Sequence, residues 1–100
     1  MARTIFEMAT SVDEPDKLET FAMAITQLPL ETLHNERSRI ENSVGHLQRS
    51  NREIEQYIAE TVDEKEKREM HDVIAENEDV ITGQMVRIEM IKSEITRRAQ

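Results

Sequence analysis

The chain has 100 residues, of which 37% are hydrophobic and 34% are charged. This length allows one domain with a modest core. The two glycines and two prolines supply little turn chemistry, and the few aromatic residues (3%) supply little bulk for a sheet. The composition therefore indicates an all-α fold. The formal net charge of −8 argues against nucleic-acid binding, because contacts with phosphates need a cationic surface.

The N-terminal part of the chain is predicted to contain one short helix. Residues 1–12, MARTIFEMATSV, show no sustained period and are predicted to be irregular. A short helix is predicted over residues 13–28, with Asp13 as its cap and Pro15 in its first turn. Pro29 is expected to end it and to open the next helix. Its predicted apolar face consists of Leu18, Phe21, Ile25 and Leu28.

Two long segments follow with heptad patterns of apolar residues, the pattern of a helix that packs through a narrow seam. In residues 30–60 the a positions are Leu30, Arg37, Val44, Asn51 and Ile58, and the d positions are Leu33, Ile40, Leu47 and Ile54. In residues 70–98 the a positions are Ile74, Ile81, Ile88 and Ile95, and the d positions are Met70, Asn77, Gln84, Ile91 and Arg98.

The phase of the two stripes predicts that the chain folds back on itself. Ile58 and Ile74 are 16 residues apart. At roughly 100° per residue they would lie about 160° apart on one continuous helix, so the stripes would face opposite sides. A break within residues 60–66 removes this conflict, and Asp63 with Glu66 offers a cap and a reciprocal partner for the second helix. We therefore predict an antiparallel αα-hairpin, a two-stranded coiled coil, over residues 29–100.

A turn centred on residue 64 fixes which residues meet across the seam. The predicted layers are Ile58 with Met70, Ile54 with Ile74, Asn51 with Asn77, Leu47 with Ile81, Val44 with Gln84, Ile40 with Ile88, and Leu33 with Ile95. A slip by one heptad would set each amide against aliphatic side chains, at a cost of about 1–3 kcal/mol per buried unsatisfied group. Asn51 and Asn77 are therefore predicted to set the register. The alternative is that both are half-exposed and bond water.

One flank of the predicted seam is small and apolar. On it, Ser43, Ser50 and Tyr57 of the first long helix face Arg87, Val80 and Val73 of the second, with Gly83 beside them. The short N-terminal helix reaches back only to about residue 44, at 1.5 Å per residue, so another chain is expected to cover what lies beyond it. Alternatively, the valines are isolated apolar residues on a solvated surface. The predicted partner-binding residues are Ser43, Ser50, Tyr57, Val73, Val80 and Gly83.

The chain shows none of the patterns that indicate an enzyme. His34, His46 and His71 are far apart in sequence, and we recognise no carboxylate cluster with metal-ligand spacing, so neither a metal nor another cofactor is expected. The C-terminal cluster of Arg87, Lys92, Arg97 and Arg98 is interpreted as the cations that a helix dipole favours in its last turns.

The chain also carries no pattern of a membrane or secreted protein. There is no cysteine, no apolar run of the ~20 residues that a membrane span needs, and no N-terminal pattern of a signal peptide. We expect no membrane partner, and a location in the cytoplasm, the nucleus or both.

The segments ENSVGHLQRSN (41–51) and ENEDVI (76–81) carry a resemblance that extends over residues 28–98. In them the chain resembles the stress-inducible, ATPase-dedicated proteasome assembly chaperones, first listed as translation-machinery-associated proteins. The first segment is fairly specific, whereas the second is common in coiled coils.

The resemblance implies a non-catalytic chaperone. It would bind the N-terminal coiled coil of one ATPase subunit of the proteasome regulatory particle, promote pairing of the ATPases, and leave before the mature particle forms. Without the resemblance, periodicity would support the alternative of a permanent structural subunit of a tethering, kinetochore-like or prefoldin-like complex. A second copy of the chain is an alternative occupant of the apolar flank, which would give a homodimer.

Overall fold

The computed structural model describes residues 15–100 of the chain, and it consists there of three helices. Helix α1 spans Pro15–Ile25, α2 spans Leu30–Glu60 and α3 spans Glu64–Ala99. The two long helices pack as an antiparallel hairpin with α1 beside its open end, which confirms the predicted fold class. The irregular segment predicted for residues 1–12 and the cap predicted at Asp13 lie outside the described residues.

The chain reverses direction at residues 61–63, within the range that the phase argument predicts. Helix α2 ends where the Thr61 N–H donates to the carbonyl of Tyr57 at 3.0 Å and to that of Ile58 at 3.4 Å. The Asp63 carboxylate accepts hydrogen bonds from the N–H groups of Lys65 and Glu66, at 3.0 and 3.3 Å, and so caps α3 as predicted. Glu66 was expected to bond back to this cap, but its carboxylate instead accepts a hydrogen bond from the Tyr57 hydroxyl.

The register of the hairpin agrees with the predicted layer of Asn51 and Asn77. The Asn77 side-chain amide donates to Oδ1 of Asn51 across the seam, at 2.8 Å. Asn51 is only 5% exposed and Asn77 is half-buried, so the pair lies in the seam and its amides bond each other. The buried apolar residues of the molecule are Phe21, Ile25, Leu33, Ile40, Val44, Ile81, Ile88 and Ile91.

Helix α1 runs in the same direction as α3 and packs against the C-terminal part of that helix. The Phe21 ring lies against Arg87, with 5.8 Å from its centroid to the guanidinium carbon. At the other end of α1, the Arg98 side chain donates to the carbonyls of Ile25 and Leu28, at 2.9 and 2.6 Å. Ile25 is the last residue of α1 and Leu28 lies in the turn that follows it, so Arg98 caps the C-terminal end of that helix.

Burial divides the hairpin into two halves. In the open-end half, which consists of α1 with residues 30–47 and 81–99, three helices meet and Leu33, Ile40 and Ile91 are fully buried. In the turn half, residues 48–60 and 64–80, only two helices meet, and Asn51 is the one residue below a tenth exposed. The apolar residues of this seam, among them Ile54 and Ile74, are half-buried.

Candidate partner-binding surface

Four of the predicted partner-binding residues lie in the turn half, and we call them the valine flank: Ser50, Tyr57, Val73 and Val80. Tyr57 is 45% and Val80 39% exposed, while Ser50 and Val73 are half-buried. A shallow cavity of about 370 Å³ has Ser50 and Tyr57 of this flank in its lining, together with Glu53, Ile54, Glu66 and Met70. The half-buried seam is thus reached from solvent on this flank.

Tyr57 is held in place within this flank by a contact between the two long helices. Its hydroxyl donates a hydrogen bond to the Glu66 carboxylate of α3. Since that bond needs the protonated hydroxyl and the carboxylate charge opposes ionisation, the pKa of Tyr57 is raised above its ordinary value. The ring remains exposed while its polar end is fixed, which suits an aromatic contact with another protein.

The other two predicted residues lie in the open-end half, beyond the valine flank. Ser43 is half-buried and Gly83 is buried. The Gly83 carbonyl accepts a hydrogen bond from Nη1 of Arg87 at 2.9 Å, and Arg87 is itself only 1% exposed. Gly83 is therefore inside the molecule, and it does not extend the accessible surface.

Helix α1 lies on the same side of the hairpin as the valine flank. By the heptad positions, Arg87 belongs to the same flank as Val73 and Val80, at intervals of seven residues. Because Phe21 packs on Arg87, α1 covers this side of the seam at the open end. The turn half presents the continuation of the same side without α1, which matches the limited reach predicted for the short helix.

Comparison with known protein families identifies the domain. The family model described as the TMA17 helical domain matches residues 17–100, which is most of the chain. The chain belongs to the TMA17 helical domain family. This family is related to the ATPase-dedicated proteasome assembly chaperones, so the match supports the resemblance seen in the sequence at the level of the family. No curated protein and no solved structure matches the chain.

The register contact of this TMA17 domain contains a residue that sequence reasoning missed. Nδ2 of Asn51 donates to Oε1 of Glu78 at 3.0 Å, while Oδ1 of the same residue accepts from Asn77. Both ends of the buried Asn51 amide therefore have partners, which stabilises one register over its alternatives. Glu78 is adjacent to Asn77 in sequence, and this position is the signal that could have indicated its bond to Asn51.

A second missed feature of the TMA17 domain is an ionic latch at the open end. The Glu94 carboxylate, 7% exposed, accepts from Arg98 at 2.7 Å and from Nε and Nη2 of Arg97 at 3.0 and 2.5 Å. The bonds from Arg97 and then Arg98 lower the pKa of Glu94 to about 2. Since Arg98 also caps α1, the latch ties the short helix to α3. The two arginines were interpreted only as dipole cations of α3.

No group of three or more histidine or acidic side chains in residues 15–100 is placed to hold a metal ion. Within the same residues, no helix is both long enough and apolar enough to cross a bilayer.

Proposed function

We propose that this TMA17-domain protein is a non-catalytic assembly chaperone of the proteasome, acting in the cytoplasm, the nucleus or both. Its partner is the N-terminal coiled coil of one ATPase subunit of the regulatory particle, and its effect is to promote pairing of that subunit with its neighbour. The observation that carries the proposal is the family match over residues 17–100, combined with a hairpin seam that one flank leaves partly open.

The valine flank is the proposed binding surface, because it is the place where a third helix is missing. In the open-end half, α1 fills this side of the seam, and the residues beneath it are buried. A helix of the ATPase arm would take the corresponding position in the turn half, approximately end to end with α1. Helix-in-groove recognition of this kind depends on a stripe of apolar anchors at i, i+3, i+4 and i+7 in the partner.

The dimensions of the flank set what the partner has to supply. Glu66 and Val80 are 14 residues apart on α3, which corresponds to about 21 Å of helix. A partner helix of about two heptads is therefore long enough to cover the flank. Glu53 and Glu66 line the cavity beside Tyr57, so a helix with basic residues at its edges is favoured.

The small size of the surface explains how the chaperone would be released without nucleotide. A contact along two heptads of one helix buries less surface than the interface between two matched ATPase arms. The correct neighbour can therefore displace the chaperone through a difference of affinities. Release by competition needs no cofactor on the chaperone, which agrees with the expectation that it binds none.

A capture experiment tests the proposal. The full-length chain is mixed with the recombinant N-terminal arm of each ATPase subunit in turn, and binding is measured by pull-down and by the mass of the complex. We expect one arm to bind, and we expect the Val73→Glu/Val80→Glu variant to lose that binding while its helicity by circular dichroism stays unchanged.

The matched control is the Ala59→Glu/Ala75→Glu variant, which adds the same charge at exposed positions away from the valine flank. It should bind like the unmodified chain. Binding that survives the two valine substitutions would rule out this flank. If no ATPase arm binds and the chain is recovered from cells in stoichiometric amounts with an unrelated stable complex, the permanent structural role replaces the chaperone role.

A further inference from the structure

The outer face of α3, which points away from α2, carries a palindromic pattern. Asp79, Val86, Met90 and Arg97 follow one another at intervals of seven, four and seven residues. At roughly 100° per residue the four positions lie within about 40° of one another around the helix. The stripe therefore reads acidic, apolar, apolar and basic along one line, with its midpoint at the level of residue 88.

Three of the four positions of this stripe are accessible to another molecule, and Met90 is half-buried and packs against the core. Val86 is 40% exposed, the Arg97 side chain is 64% exposed, and Asp79 is exposed. A wide, open groove of about 810 Å³ runs along the same face beside α1. Its apolar lining includes Ala22, Ile25, Ile81, Met85, Val86 and Met90.

The pattern is complementary to itself under a two-fold rotation. When a second α3 lies antiparallel on the first with the axis at the level of residue 88, Asp79 of each copy meets Arg97 of the other. The same rotation sets Val86 against Met90. Two ion pairs then enclose a central apolar contact, and the two helix dipoles are antiparallel. If one helix is shifted along the other, the ion pairs and the central apolar contact are not both kept.

We propose that a second copy of this chain binds to the outer face of α3, giving a homodimer with antiparallel α3 helices. Charge complementarity favours this occupant, since a second antiparallel α3 presents a basic residue to Asp79 and an acidic residue to Arg97, which already bonds Glu94 within its own helix. Thr82 and Ser93 line the groove with small side chains, which let the two helices approach closely.

The dimer leaves the valine flank accessible, so it is compatible with the proposed chaperone role and does not depend on it. Val80 follows Asp79 directly in sequence and therefore lies about 100° away around α3. Each dimer would present two valine flanks pointing away from the shared interface. The chain would then bind two ATPase arms at once, one on each copy.

The contact is small, so the association is expected to be weak. Asp79 and Arg97 are 18 residues apart, which gives a contact about 27 Å long between single helices. An interface of this length falls below the standard size for stable complexes. We therefore expect a dissociation constant of about 10–100 μM for the dimer.

Sedimentation velocity of the full-length chain at about 150 mM salt tests the dimer. This ionic strength screens the long-range repulsion between two copies that each carry a net charge of −8. We expect the mass to rise from monomer to dimer as the concentration passes through this range. The Val86→Glu variant should weaken association at least ~10-fold. The Ala59→Glu variant, which adds the same charge on α2, should not change it. A monomer at all concentrations, or a dimer insensitive to Val86→Glu, overturns the proposal.

A charge exchange identifies the geometry. The Asp79→Arg and Arg97→Asp variants should each fail to dimerise alone, because like charges then meet at both ends of the stripe. Mixed in equal amounts they should associate, since every facing pair is again opposite in sign. Since Arg97 also bonds Glu94, the methyl signals of Ile25 check that α1 stays docked in the Arg97→Asp variant, where Arg98 alone pairs with Glu94. Each of the two variants alone is the control for the mixture and should remain monomeric. Failure of the mixture to associate, or association of either variant alone, refutes the antiparallel arrangement.

Discussion

The two halves of the hairpin use the same heptad pattern and reach different degrees of burial. Leu33, Ile40 and Ile91 in the open-end half are fully buried, whereas Ile54 and Ile58 in the turn half are half-buried. The difference is the third helix, because two helices alone cannot enclose a seam on both flanks. A chain that supplies its own third helix for one half only keeps a docking position in the other.

The polar groups of the two halves also differ in what they do. In the open-end half, Arg98 bonds Glu94 and also donates to the carbonyls of Ile25 and Leu28, which ties α1 to the hairpin. In the turn half, Asn51 pairs with Asn77 across the seam and has no contact with α1. The first set holds a third helix in place, and the second aligns two helices whose flank stays open.

The largest expected effect comes from truncating matched residues in the two halves. Ile91→Ala removes a fully buried side chain and should lower the free energy of unfolding by about 3–4 kcal/mol. Ile58→Ala removes a half-buried one in the turn half and should cost only about 1 kcal/mol. Urea denaturation followed by circular dichroism measures both. Equal costs would show that the halves are equally well packed.

The Asn51→Leu/Asn77→Leu variant tests the register contact of the turn half. Replacing both amides by apolar side chains should raise the free energy of unfolding by about 1 kcal/mol, because no buried polar group remains to be satisfied. Asn51→Leu alone should instead destabilise, since Asn77 then loses its acceptor.

Spin labels at the exposed positions Arg52 and Glu76 report the register of the same variant. Their distance distribution is expected to broaden when both asparagines are replaced, because several alignments of the two helices become accessible. A loss of stability with an unchanged distance would contradict the register role.

The ionic latch of the open-end half should make the docking of α1 depend on pH. The pKa of Glu94 in the folded protein, about 2, is below its ordinary value of 4.5. The carboxylate therefore stabilises the fold fully above about pH 4.5, and this contribution is lost as the pH falls from there to about 2. The chain should be more stable than its Glu94→Gln variant at pH 7, with the difference disappearing near pH 2.

An NMR readout and a control variant make the latch prediction specific. Methyl NMR signals of Ile25 should report the release of α1 over the same pH range. The Glu89→Gln variant is the control, since Glu89 is 68% exposed and its ion pair with Lys92 lies on the surface. It should change stability little at either pH. A Glu94→Gln variant as stable as the unmodified chain at pH 7 would show that the latch does not hold α1.

The smallest expected effect is at Gly45, which lies on the flank opposite α1. A Cβ atom added there would meet only Nη1 of Arg49, at 3.7 Å, which is an ordinary contact. Gly45→Ala should therefore stabilise α2 by about 0.5–1 kcal/mol through helix propensity alone. A decrease in the thermal midpoint would contradict this expectation.

Periodicity predicted the parts of the structure that depend on helix phase. The opposed stripes at Ile58 and Ile74 required a reversal, and symmetry about residue 64 placed Asn51 against Asn77. Contacts made by the ends of long side chains could not be predicted in this way. Arg98 reaches carbonyls 70–73 residues earlier in the chain, and helical phase carries no information about that direction.

The valine flank was predicted in part for the same reason. Heptad positions placed Ser50, Tyr57, Val73 and Val80 on one flank, and of these the structure places Ser50 and Tyr57 in the lining of one cavity. Gly83 shares that side of α3 but is buried beside Arg87. The burial of an arginine depends on tertiary contacts, such as that with Phe21, which a pattern of apolar residues does not encode.

The central claim is that the turn half keeps a place for a partner helix which α1 fills at the open end. Methyl NMR of the full-length chain, titrated with the ATPase arm that it binds, tests this most directly. We predict that the signals of Val73, Val80 and Ile54 shift on binding while those of Leu33 and Ile91 do not. Shifts confined to the open-end half, with Val73 and Val80 unchanged, would contradict the account.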